Sequence, residues 1–212
     1  GGQLAKYKTI LEKLAASEDR EVIAIYVKTG ERNEDAYVRA QGWQIFGRAS
    51  LLSVLDRAVG RGVDNDILND FLGWLRQREN DATWWQRFPI DTTWPWLGWQ
   101  GFYSALEERM PWASHLGWNY VANPAGGFLA MWWGFYPVEG GELYLQLQQG
   151  FLAVRLKVAS KDERRAMSRY WSAHVLAAAA EAGWPLQRPP RLGSGEHIAI
   201  ARWYDWRATD AS

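Results

Sequence analysis

The chain has 212 residues, enough for one large domain or two small ones, and its 24 basic side chains are matched by 24 acidic ones. A net charge of zero excludes a whole-surface field for nucleic acid or anionic lipid, while leaving room for a local basic groove. With no cysteine, disulfides, thiolate catalysis and cysteine-held zinc or iron–sulfur sites are excluded, and no apolar run is long enough to span a bilayer.

Residues 1–10 lack the apolar core of a signal peptide, so the expected compartment is cytoplasmic and no membrane partner is expected. The chain opens Gly1-Gly2-Gln3-Leu4 and its first Met is Met110, which reads as a piece of a larger protein. Its 15 Trp are several times average usage and are expected to fill a core that is poor in Met.

Leu4, Tyr7, Leu11 and Leu14 recur at three-to-four-residue spacing and predict an amphipathic helix over 3–16. The β-branched run 21–27, ending at Thr29-Gly30, predicts a buried strand, and 33–42 reads as a polar loop. A second short strand is expected at 43–46. Ser50 is then expected to cap a helix closed by Gly60, and Asp64 to start another. Periodicity fails over 81–95, which reads as a packed loop with Trp84 and Trp85 exposed, whereas Trp74 and Trp171 lie on apolar helix faces and should be core. Pro95 suits the first turn of a helix that Pro111 stops.

The second half changes character. Strand-like segments at 118–122, 128–136, 142–148 and 151–158 are separated by Asn123-Pro124, Gly140-Gly141 and Gly150, the pattern of an antiparallel meander. In the third strand Leu143, Leu145 and Leu147 alternate with Tyr144, Gln146 and Gln148, which predicts one buried and one polar face. Ser160 and Glu163 have capping-box spacing for a helix running to about 182, and a Pro/Gly-rich loop at 188–195 precedes a last strand at 197–206.

Few residues here carry obvious chemistry. His115, His174 and His197 fall on unrelated elements, Gly193-Ser194-Gly195 is a turn and no nucleophile elbow, and Gly126-Gly127 opens no helix. No Asp/Glu pair ends neighbouring strands, as a two-carboxylate magnesium site requires, so no metal site is expected. The exception is Gln3-x-x-x-Tyr7, an amide and a phenol four residues apart on one helix face.

The order of a QLxxY helix, the strand 22–27 ending in Thr29-Gly30, the strand 44–46 and a helix opening at Ser50-Leu51-Leu52 resembles the back half of a PD-(D/E)XK (restriction-endonuclease-like) nuclease core. The strands within 142–158 and the Arg-rich helix after them resemble the C-terminal extension of a bacterial branch of that superfamily. The resemblance implies an α/β to α+β fold in three parts: a core remnant (1–60), a helical Trp-rich insert (61–115), and an antiparallel sheet with a packed helix (116–212). It implies a parent that is a Mg²⁺-dependent deoxyribonuclease of the restriction or phage-defence kind, with DNA as partner. In that family the acids that hold Mg²⁺ and the Lys that orients the attacking water precede the QxxxY helix. They are not in this sequence, so no catalytic residue and no bound cofactor is expected here.

The resemblance implies that Gln3 and Tyr7 support the site, on a helix face turned toward the sheet edge. Lys6, Lys8, Arg155, Lys157, Arg164, Arg165 and Arg169 could line a phosphate track, with Lys161 on the same helix start. The rival reading is a non-enzymatic binding module, in which Trp118, Trp132, Trp133, Trp203 and Trp206 stack a ligand or dock a protein.

Overall fold

The computed structural model describes residues 2–18, 20–31, 34–90, 92–113, 115–123, 126–204 and 206–207. Of the positions named above, Gly1 and Pro124 lie outside the described residues, as do residue 33 of the expected loop and residue 205 of the expected last strand. The architecture is mixed α+β. The chain forms two compact units, one of Gly1–Phe88 with Trp94–Ser104 and one of Pro89–Thr93 with Ala105–Ser212. Among the described residues no helix is long and apolar enough to cross a membrane.

The first unit holds α1 (Gln3–Ser17), β1 (Ile25–Lys28), α2 (Asp35–Ala40), β2 (Gln44–Gly47), α3 (Arg48–Gly60), α4 (Asp66–Ala82) and the start of α5 (Trp96–Arg109). β1 and β2 pair in parallel, Ile25 opposite Gln44 and Lys28 opposite Gly47. The strand expected over 21–27 is shorter and is not buried: Ile23, Ile25 and Val27 are 65, 50 and 56% exposed. A two-stranded sheet here covers one face only, so alternate residues meet solvent. On the covered side the Tyr26 hydroxyl and the Lys28 ammonium both donate to Glu34 Oε1, at 2.8 and 2.5 Å.

Where a loop was expected over 33–42 the chain forms α2. Val38 is fully buried, and the Asp35–Arg39 pair (3.9 Å) spans one helical turn. α3 starts at Arg48, two residues before Ser50, because Arg48 is pinned: it is 8% exposed and donates from Nη1 to the Thr29 carbonyl (2.9 Å). The same guanidinium bridges Glu31 (2.5 Å) and Glu79 on α4 (2.6 Å), tying the β1 exit to two helices. Burial alone would push the Arg48 pKa down, but the bonds to Glu31 and Glu79 and their charges raise it overall. Asn65, not Asp64, caps α4, its side chain accepting the Leu68 amide at 3.1 Å.

The tryptophans of this unit also depart from expectation. Trp84 stacks on Phe88 (4.1 Å between centroids), Trp85 tilts against Phe102, and both are half-buried. Trp94 and Trp99 join Phe102 and Tyr103 in the core. Gly101 makes this possible, since a side chain there would run into the Ala82 carbonyl at the end of α4. Trp74, expected in the core, is 47% exposed and lies as a ledge beside Phe71 and under Arg78. Of the 15 tryptophans only Trp74, Trp96, Trp112 and Trp184 are exposed, so most of them serve packing.

The second unit is a five-stranded antiparallel sheet in sequence order, β3 (Gly117–Val121), β4 (Phe128–Val138), β5 (Gly141–Gln148), β6 (Leu152–Lys157) and β7 (His197–Trp203). α6 (Arg164–Glu181) covers one face. Leu156, Val158, Ile198 and Ile200 form a buried core against Met167, Trp171 and Val175, each large apolar side chain contributing about 1.5–3 kcal/mol. Ser172 donates to the Ile200 carbonyl (2.7 Å) and Trp171 Nε1 to the Glu139 carbonyl (3.0 Å), fixing the helix in register. The expected Ser160–Glu163 capping box does not form. Glu163 is the cap residue and makes no side-chain cap bond; instead Arg164 ties the helix start to the Val158 and Ala159 carbonyls (3.0 and 3.1 Å).

β5 departs from the expected pattern of one buried and one polar face. Its supposedly polar face is buried as well: Tyr144, Gln146 and Gln148 are 7, 5 and 8% exposed. β5 is the middle strand of five, and aromatic side chains of its neighbour β4 roof its outer face.

The Arg48 clamp generates a stability prediction. Arg48→Ala leaves Glu31 and Glu79 facing each other without their cation, so the first unit should lose about 2–4 kcal/mol. Chemical denaturation of wild type and variant measures it, and a loss below about 1 kcal/mol would show that the clamp contributes little.

Candidate functional site

Two recesses in the second unit gather side chains with chemical potential. The first, of about 430 Å³, lies between the start of α6 and the loop that follows the helix. Lys161, Arg164, Arg165 and Arg169 reach it from one side and Arg188 from the other, with no acidic side chain in the lining. Buried Ser168 forms its floor. Helical spacing explains the convergence: 165 and 169 are four apart, and 161 lies one turn ahead. Arg164 is already committed to the Val158 and Ala159 carbonyls, whereas Lys161, Arg165, Arg169 and Arg188 are exposed and make no salt bridge among the described residues.

Arg155 and Lys157 do not join this cleft. β-Alternation sends Leu156 to the α6 side and Arg155 to the opposite one. Lys157 pairs in register with Glu142 and His197 at the strand end. Lys6 and Lys8 belong to the first unit, where Lys8 lies 3.9 Å from Glu12.

The second recess, of about 290 Å³, opens on the sheet face opposite α6. Phe128, Trp132 and Phe135 from β4 wall it, with Tyr144 and Gln146 from β5 beneath. Phe135 and Tyr144 stack with centroids 5.0 Å apart and planes 15° apart. Trp132 can lie close over β3 because Gly117 faces it, where a Cβ would approach Trp132 Nε1 to 3.3 Å. Arg155 and His197 close the polar end: Tyr144 Oη and His197 Nδ1 are 3.0 Å apart, and Arg155 Nη2 donates to the His197 carbonyl at 3.0 Å.

The electrostatics here follow from burial and cations. Burial raises the Tyr144 pKa, against a smaller lowering by Arg155, so the phenol keeps its proton. Burial also lowers the His197 pKa, Arg155 and Lys157 lower it further, and Glu196 opposes them. Neutral His197 Nδ1 and the Tyr144 hydroxyl share this hydrogen bond, its direction set by the imidazole tautomer. Two polar groups stay unsatisfied: Gln146 Nε2 and Arg155 Nε are buried without a partner.

Gln3 Nε2 donates to Tyr7 Oη at 2.7 Å, so the pair shares a face of α1. Tyr7 is 47% exposed, α1 has no buried residue, and Ala5, Lys8, Thr9 and Glu12 form the face turned to residues 39–42. Of the rival module's tryptophans, Trp118 is 4% exposed and donates to Glu107, and Trp133, Trp203 and Trp206 are half-buried; Trp132 lines the aromatic recess. Among the described residues no three His, Cys, Asp or Glu side chains converge to hold a metal. Glu31 and Glu79, the acids nearest such an arrangement, are bound to Arg48. Among the described residues the acids present do not assemble a magnesium site.

Sequence reasoning missed Arg188, Gln146, Phe135 and Tyr144. Arg188 sits in a loop without periodicity, and the polar members of β5 looked like a solvent face.

Because the folded His197 titrates below the ordinary histidine value of 6.5, stability contributed by this group is present above that value and falls as pH drops through the window beneath it. NMR titration of the imidazole should find its midpoint below 6.5, moving upward in Arg155→Ala. A midpoint at or above 6.5 in wild type, or a downward move in the variant, contradicts this electrostatic picture. No family model, no curated protein and no solved structure matches this chain.

Proposed function

We propose that this chain is the DNA-gripping C-terminal part of a bacterial PD-(D/E)XK-like nuclease of the restriction or phage-defence kind. The basic cleft of α6 is the observation that carries the DNA reading. Five cationic side chains around one recess, none of them in a salt bridge among the described residues, are costly to place together unless an anion joins them. Lys161, Arg164 and Arg165 also sit at the helix N-terminus, where the exposed amides and the macrodipole favour a phosphate and disfavour the arginines themselves. A net charge of zero confines the field to this patch, so the affinity is of the non-specific kind, roughly 10⁻⁴–10⁻⁶ M at physiological salt.

Support for the nuclease part of the reading is the element order of the first unit, with QxxxY on α1 ahead of a parallel β1–β2 pair. Parallel sheets ordinarily bury both faces, and the exposed Ile23, Ile25 and Val27 lie on the side that further elements of a larger core would cover. No hydrolytic step falls to the residues of this chain.

Titration of a labelled DNA duplex at two salt concentrations tests the grip. Binding should weaken steeply with salt, and Arg165→Ala/Arg169→Ala/Arg188→Ala should reduce the salt slope by roughly 2 to 3, about 0.9 per phosphate lost. An unchanged slope, or no binding at low salt, refutes it. Separately, the 212-residue chain with Mg²⁺ or Mn²⁺ should leave plasmid DNA intact; metal-dependent cutting that a substitution within the chain abolishes would overturn the assignment of chemistry elsewhere.

A further inference from the structure

The aromatic recess has no role in a backbone grip, and its composition is specific. We propose that it binds a single unstacked nucleobase, adenine by preference, inserted edge-on toward Gln146. Three features point there. The first is the walls: the half-buried rings of Phe128, Trp132 and Phe135 offer π-faces, the surface on which a base stacks for about 1–3 kcal/mol. The second is size, since a volume near 290 Å³ lies at the low end of the roughly 300–1,000 Å³ of drug-sized pockets and suits one ring system.

The third is the unsatisfied chemistry. Gln146 is 5% exposed, lines the recess, and its Nε2 has no acceptor among the described residues. A buried unpaired amide costs on the order of 1–3 kcal/mol, so the fold tolerates at this point a donor that a ligand can satisfy. A carboxamide carries a donor and an acceptor side by side, the complement of the adenine amino group and its adjacent ring nitrogen. Arg155 Nε, also unpaired, offers a further donor at the polar end for a ring or sugar acceptor, and neutral His197 adds no second cation there. An alkyl or purely anionic ligand would leave either Gln146 or the aromatic walls unused.

The base has two possible sources, a nucleotide splayed out of a DNA strand or a free mononucleotide. The inference rests on the DNA reading only for the first. Calorimetric titration of the whole chain with adenosine, AMP, guanosine and ribose 5-phosphate tests the recess itself. Adenosine and AMP should bind, guanosine at least tenfold more weakly, and ribose 5-phosphate not measurably. Gln146→Leu, which removes the unpaired amide and should keep or raise the melting temperature, should weaken adenosine at least tenfold. Trp132→Leu gives an independent variant with the same expected loss. Adenosine binding no tighter than ribose 5-phosphate, guanosine binding as tightly as adenosine, or full affinity in a folded Gln146→Leu overturns the proposal.

An oligo(dA) strand and the same strand with abasic positions then separate the sources. A preference for intact bases that Gln146→Leu removes assigns the base to a strand. Adenosine binding without that preference assigns it to free nucleotide. The arginine triple variant keeps the two readings apart: it should retain adenosine affinity even where duplex binding is lost, so failure of the phosphate grip leaves the base site standing.

Discussion

The second unit depends on one constraint, the two-residue period of β5 and β6 in a sheet whose one face is packed under α6. Leu143 and Leu156 are directed into the core beneath α6, so Tyr144, Gln146 and Arg155 must be directed the other way. A one-residue slip would place Gln146 and Arg155 against Met167 and Trp171, with no partner for either, and would bring the leucines under the β4 aromatics. Register is therefore held by the cost of that error, and the Ser172 and Trp171 bonds to backbone carbonyls reinforce it from the helix side. The geometry of the aromatic recess is a consequence: its floor is rigid because the opposite face is a packed core.

In the first unit a single side chain has the comparable role. Arg48 links the end of β1 through Thr29 and Glu31 to α4 through Glu79, and α3 begins where it does because this residue is pinned. The parallel pair β1–β2 would be marginal as an isolated two-stranded sheet. Its connection to α3 and α4 through a buried, doubly paired guanidinium gives it an anchor that hydrophobic burial on one face alone would not supply.

How much of this could be read from the sequence divides along physical lines. Patterns with a strong local period were legible: the α1 helix, the four-strand meander and the long α6 all occur close to their expected bounds. What failed depended on long-range partners. Ser50 looks like a cap, but Arg48, with partners at 29, 31 and 79, decides where α3 starts. Trp74 has helical spacing to apolar neighbours, yet the core of its unit is built from Trp94, Trp99 and Tyr103, which Gly98 and Gly101 admit against α4. The basic face of α6 was visible as spacing; Arg188 was not, because loop closure brings it there. The polar face of β5 was visible as alternation, but its burial required knowing that it is the middle strand.

The two recesses share one property: each lies where a local rule of stability is broken. Arginines crowd the N-terminus of α6, against the macrodipole, and stand four residues apart with like charge, each costing a few tenths of a kcal/mol or more. Beneath the β4 aromatics a glutamine amide is buried with no acceptor. Ser172 and Trp118, by contrast, enter the interior with their partners, the Ile200 carbonyl and Glu107. A sequence shaped for packing alone would replace Gln146 by a leucine and Arg165 by a glutamate with gain on both counts. That it carries neither is what the proposed anion at α6 and the proposed ring edge at Gln146 would account for.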